Sequence, residues 1–303
     1  MIIAFAAETI LWKRNKLSTL DALFANAFWR FVFVVLAFFL LWPIMGTDEM
    51  FYRVGWETVG WAFAIQIFGA GAIIAWAQTM KNMAVSLAQP LSLFRTIPIT
   101  LASFLIFRGE LSIWQILLVI AISVFCFSLG YFQGRQEIKS TKDGNYKKGV
   151  LFLLLWIFCF SSIDIMVQAA ARTGANPITF SAIRVFAFFL TSALIYIILR
   201  RRHLREGFSN VFKKDRNMKY IGIMFAVSSL LFIVLLAGMP AINLPRMENA
   251  GVLSALVVAS VPLVVLYGVI FNKDRIKWYS FVLMALVIFS VIALTMFTTG
   301  VWG

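Results

Sequence analysis

Apolar residues along this 303-residue chain neither alternate nor recur on one helical face; they come in nearly unbroken runs divided by short polar stretches. A bilayer core of about 30 Å needs roughly 20 apolar residues in helical form. Measured against that length, runs fall at 1–13, 23–43, 59–79, 83–107, 112–133, 149–171, 178–199, 219–239, 249–271 and 278–299. The pattern predicts an all-α polytopic membrane protein of about ten transmembrane helices. Only twelve residues precede Lys13, so helix 1 is either truncated or fails to cross fully. Connections are brief except 134–148 and 200–218, which are polar and basic. Gly46 to Glu57 mixes Asp48, Glu49 and Arg53 with Phe51, Tyr52 and Trp56, the texture of an interfacial segment. Glu8 interrupts the first run and no basic segment precedes it, so no cleavable signal peptide is expected.

The runs repeat. Pro98, Glu110 and Trp114 recur as Pro262, Asp274 and Trp278, each 164 residues later. Gly60, Phe63 and Ala64 recur as Gly222, Phe225 and Ala226 at an offset of 162, and Arg30 recurs as Arg184 at 154. An ordered set of matches across four helices points to duplication rather than chance. The expected organisation is a first five-helix repeat over 1–133, a basic linker over 134–148 and a second five-helix repeat over 149–303.

Five is odd, so the second copy must enter the membrane inverted. Loop charge tests this, because Lys and Arg favour the cytoplasmic side. After the second helix of each copy, 44–58 holds one basic residue and 200–219 holds eight. After the fourth, 108–111 holds one and 272–277 holds three; after the first, 13–22 holds three and 172–177 holds one. Each pair is reversed. Summed over one side, the loops carry twenty basic residues against four on the other. The bias predicts cytoplasmic loops at 134–148 and 200–219 and an external C-terminus. Inverted repeats of this kind are the architecture of many secondary transporters.

Composition agrees with the pattern. Hydrophobic residues make up 62% of the chain and charged residues 13%, against about 25% charged in a soluble domain. The net charge of +14 could mark a nucleic-acid binder, but nearly all the Lys and Arg lie between apolar runs, where they meet headgroups. Cys126 and Cys159 lie inside runs without metal-ligand spacing, and the single His203 sits in a basic loop. No metal, no cofactor and no catalytic residue is expected, and the chain is not read as an enzyme.

An Arg early in the second helix, a Pro within the fourth and an acidic residue in the turn before the fifth resemble the drug/metabolite transporter superfamily, in its EamA-like ten-helix branch. KLSTLDALFANAFWRFVF and FRGELSIWQ carry the pattern in the first copy. Residues 175–180 leading to Arg184, and NKDRIKW at 272–278, carry it in the second. The resemblance spans nearly the whole chain and identifies a family rather than a substrate. Asp274 departs from the usual Glu. The resemblance also implies cytoplasmic termini, opposite to the loop charges.

Charge at membrane depth is costly and marks functional candidates. Glu8 in helix 1 and Asp164 in the equivalent helix 6 are the candidate proton-coupling carboxylates; the resemblance adds that related small multidrug resistance proteins use a first-helix glutamate this way. Arg95, whose counterpart is Ala259, is a candidate partner for a substrate anion. The structural alternative pairs Arg95 with Glu8 or Asp164. Arg30 and Arg184, near helix starts, are expected to snorkel and hold architecture, and Glu110 and Asp274 to cap the helices that follow. Because the resemblance implies a central pocket among helices 1, 3, 4 and their repeats, Gln66, Ser228 and Gln89 are candidate lining residues. Trp76 either stacks on a ligand or anchors at the interface, as expected for Trp42, Trp114 and Trp278. Pro98 and Pro262 are candidate hinges.

The expected function is an exporter of small metabolites, such as amino acids or cationic drugs, working by alternating access with coupling to protons. An anion or phosphorylated-metabolite exchanger is the alternative within transport; a membrane enzyme or a non-transporting membrane protein are the alternatives outside it. The expected partners are a small-molecule substrate, the bilayer of the cell membrane and protons, with no nucleic acid, in a monomer or homodimer.

Overall fold

A computed structural model describes residues 2–14, 17–45, 55–83, 85–95, 97–99, 102, 112–140, 145–171, 177–201, 209, 219–223, 264, 266–267, 270 and 278–298. Every regular element among them is helical. In chain order these are α1 (Ile2–Lys13), α2 (Thr19–Met45), α3 (Trp56–Asn82), α4 (Val85–Ser92) with a 3₁₀ turn at Leu93–Arg95, α5 (Ile113–Ser140), α6 (Asn145–Ala171), α7 (Pro177–Arg200) and α8 (Trp278–Thr298). Five stretches are long and apolar enough to cross a bilayer: Thr19–Leu36, Trp56–Asn82, Ile113–Phe132, Tyr146–Val167 and Thr179–Arg200. Such a set fits a membrane protein. The second span starts earlier than the apolar run beginning at 23, because Ser18 and Asp21 cap α2: the Asp21 amide donates to Ser18 Oγ, which donates to the Asp21 carboxylate at 2.6 Å.

α3 is the hub, touching α1, α2, α4, α6 and α7. Its sequence explains why. Ala62, Gly69, Ala70, Ala72, Ala75 and Ala77 are buried, and small side chains let helix axes approach without a driving force from water. At Gly71 an added Cβ would lie 3.3 Å from Cys159 Sγ on α6. Outward faces are apolar too: Leu154, Phe158, Leu194 and Leu199 are exposed. A soluble fold would hide such a belt, whereas lipid solvates it. α8 packs on α5 through Met284 and Val287 against Val119, Ile122, Cys126 and Leu129.

Several helix ends meet at one pole. Lys13 Nζ donates to the Met80 and Met83 carbonyls, both at 2.8 Å, and Lys81 Nζ donates to Leu17 O at 3.0 Å. Lys13 there satisfies carbonyls that the end of α3 leaves unpaired. Arg200 donates to Asp21 at 3.2 Å and to Ser18 at 2.9 Å, and Tyr196 donates to Asp21 at 3.0 Å. Gly149 sits against Met83, where no Cβ would fit. The C-terminal ends of α1, α3 and α7 and the N-terminal ends of α2 and α6 therefore meet at this pole.

Candidate functional site

The fourth apolar run is not one continuous helix. α4 ends at Ser92, tightens into the 3₁₀ turn Leu93–Arg95, and helical geometry resumes at 97–99. Pro98 has no N–H for the Phe94 carbonyl and its ring crowds that carbonyl, so the regular ladder fails here. The break leaves polar backbone in the bundle interior, and Ser161 Oγ on α6 donates to Arg95 O at 3.4 Å. Arg95 is 5% exposed. Its guanidinium lies 4.3 Å from the Phe160 ring centroid and 5.5 Å from that of Trp156, both on α6.

Four other charges inside the apolar runs are linked to it pair by pair. Arg30 of α2 donates to Glu8 of α1 at 2.5 Å, with both side chains less than one-fifth exposed. Asp164, one turn along α6 from Phe160, acts electrostatically on both Arg95 and Arg184 of α7. Arg184 also feels Arg30, and its guanidinium lies 5.8 Å from the Phe180 ring. The five charges thus form a chain of electrostatic links from Glu8 and Arg30 through Arg184 and Asp164 to Arg95, a cluster drawn from five segments. Charge in low dielectric is costly, and helical bundles keep it paired or turned to the interior.

Neutral polar groups flank the cluster. Thr9 of α1 donates to Gln89 Oε1 of α4 at 3.4 Å, and Gln89 is buried. Gln66 is buried on α3. Asn26, one helical turn before Arg30, is fully buried, and neither amide atom has a hydrogen-bond partner among the described residues.

The sequence expectations divide as follows. Glu8, Arg95 and Asp164 are brought together with Arg30 and Arg184, which had been expected to reach for the interface. Arg30 lies eleven residues inside α2, three turns from its start, and ends on Glu8 instead. Trp76 is buried, its ring centroid 4.8 Å from that of Trp156, whereas Trp114 and Trp278 are exposed. The box that caps α5 is Ser112 with Gln115: each side chain accepts from the other's backbone N–H. Glu110, Ser228, Pro262, Asp274 and the Trp42 side chain lie outside the described residues. Thr9, Asn26, Phe160 and Ser161 were not singled out from sequence. Helical spacing could have found them, since Asn26 precedes Arg30 by four, and Phe160 and Ser161 precede Asp164 by four and three.

No protein-family model matches the chain, and no curated protein matches it.

Proposed function

We propose that this chain is a secondary transporter, an exporter of small metabolites in the cell membrane, working by alternating access between two inverted five-helix repeats. The observation that carries the reading is the buried charge cluster at the break in the fourth apolar run. Carriers place their solute sites near the bilayer midplane where a helix is discontinuous.

The repeat reading is supported by how the contacts fall. Duplication makes Glu8 equivalent to Asp164 and Arg30 to Arg184; Glu8 pairs with Arg30, and Asp164 acts on Arg184. A pseudo-two-fold axis would pass between equivalent helices, and the second packs on the seventh (α2 on α7) and the fifth on the tenth (α5 on α8). Gly222, in the expected eighth helix, abuts Trp29 of α2, as α3 abuts α7. The resemblance to EamA-like drug/metabolite transporters rests on the same arginines, Pro98 and the acidic turns. In this reading the basic pole faces the cytoplasm, the Asp21–Arg200–Tyr196 network closes that side, and Asp164 is the group through which a proton gradient acts.

Reconstituted protein tests the proposal. Proteoliposomes carrying the wild type should move at least one member of a panel of amino acids and quaternary amines under an imposed pH gradient. Asp164→Asn should reduce that movement to the background of empty vesicles. Undiminished pH-driven flux in the variant would end the coupling role of Asp164; absence of flux for every solute class, anions included, would end the transporter reading.

A further inference from the structure

The charges inside the apolar runs do not balance. Every Lys and Arg of the chain lies in a connection or at the end of a run except Arg30, Arg95 and Arg184. Of the 13 acidic residues, only Glu8 and Asp164 lie well inside a run. The stretches 96–107, 220–245 and 249–271 contain no Asp or Glu, so those parts of the chain hold no third carboxylate for the cluster. Three guanidinium groups therefore share two carboxylates.

Geometry identifies the surplus cation. Arg30 has Glu8 in direct contact. Asp164 divides its field between Arg184 and Arg95. Arg95 is held mainly by its flat face, against Phe160 and beside Trp156. A guanidinium stacked on a ring keeps its N–H edge free for in-plane acceptors, and two parallel N–H groups match the two oxygens of a carboxylate or phosphate. Its Nε, like those of Arg30 and Arg184, is buried and has no hydrogen-bond partner among the described residues; what sets Arg95 apart is its deeper burial, 5% exposed, and its closer ring stacking. An ionised group this deep, with an unmet donor, is expensive unless an anion completes it.

We infer that the central cluster binds its solute by an anionic group, a carboxylate or a phosphate, docked on the N–H edge of Arg95. Phe160 and Trp156 fix the plane of that edge, and the bound anion brings the cluster to neutrality. The inference rests on the transporter reading and narrows it: solutes bearing an acidic group are preferred over purely cationic drugs.

Thermal unfolding of the purified full-length protein in lipid nanodiscs tests this, with L-glutamate, succinate, inorganic phosphate and tetraphenylphosphonium as probes. A ligand that binds only the folded state raises the midpoint in proportion to its occupancy. At least one anion should raise it, with the carboxylates and phosphate separating the two chemistries; tetraphenylphosphonium should not. Arg95→Gln should abolish the anion shift. Arg95→Lys keeps the charge and loses the fork, so its shift should shrink several-fold; this variant decides the matter where Arg95→Gln does not fold. An undiminished anion shift in either variant overturns the proposal, as does a wild type stabilised by the cation alone or by no probe. Anion binding without flux of any solute would leave this site standing and remove the transporter reading. Cation flux indifferent to Arg95 would do the reverse.

Discussion

Glu8 and Asp164 occupy corresponding places in the two proposed repeats, yet their surroundings differ. Glu8 meets one arginine directly, and both partners keep some exposure, 18% and 15%. Asp164 acts electrostatically on two arginines from different segments, the buried Arg95 and the half-buried Arg184. Glu8 therefore has one arginine to itself, whereas Asp164 acts on two, Arg184 and, from the first proposed repeat, Arg95. The difference traces to a single position, Arg95 against Ala259, and to the 3₁₀ turn that places Arg95 in the interior. If the proposed duplication holds, asymmetry of this kind is where a binding preference can be written without disturbing the frame.

That contrast can be broken most severely at Asp164. Asp164→Asn removes the anion that acts on the buried Arg95 and the half-buried Arg184, and leaving a buried charge uncompensated costs about 3–5 kcal/mol. Denaturant unfolding in detergent micelles should register a loss of this order. Glu8→Gln removes one contact from a partly exposed pair, so about 1–3 kcal/mol is expected in the same assay. A loss for Glu8→Gln equal to or above that for Asp164→Asn would erase the distinction between the two carboxylates.

Away from the cluster the effects diminish. Asp21→Asn deprives Ser18, Tyr196 and Arg200 of their charged acceptor. Hydrogen exchange over residues 18–24 should quicken while the cluster variants leave that segment unchanged, with a stability loss of about 1–2 kcal/mol. Gly222→Ala would put a Cβ 2.6 Å from Trp29 Cβ and 2.9 Å from its backbone carbon. Overpacking of this kind costs about 1–3 kcal/mol, toward the lower end where the helix can shift. Trp114→Ala, on an exposed side chain, should change unfolding by no more than about 0.5 kcal/mol.

Much of the frame could be read from the chain because lipid imposes a simple demand: a spanning helix must be apolar over its whole length. The runs at 59–79, 112–133, 149–171 and 178–199 each became a helix that is long and apolar enough to cross. Where the reading failed, the missing information was tertiary. Counting from the apolar run beginning at 23 put Arg30 near an interface; the Ser18–Asp21 box starts α2 at Thr19 and carries Arg30 a turn deeper. Nothing in AAETI says that Glu8 will face Arg30, since that depends on how α1 folds back on α2. Arg95 and Asp164 were legible as buried charges, but the aromatic bed of Phe160 and Trp156 was not, because it belongs to another helix.

The two native thiols have a practical consequence. Cys126 is fully buried between α5 and α8, and Cys159 is 7% exposed against α3. Neither offers a ready target to a water-borne maleimide, because alkylation needs an accessible thiolate. A cysteine introduced at an exposed site such as Glu57 or Arg201 would therefore report its own side of the bilayer against a silent background, without first stripping the protein of its natural sulfur.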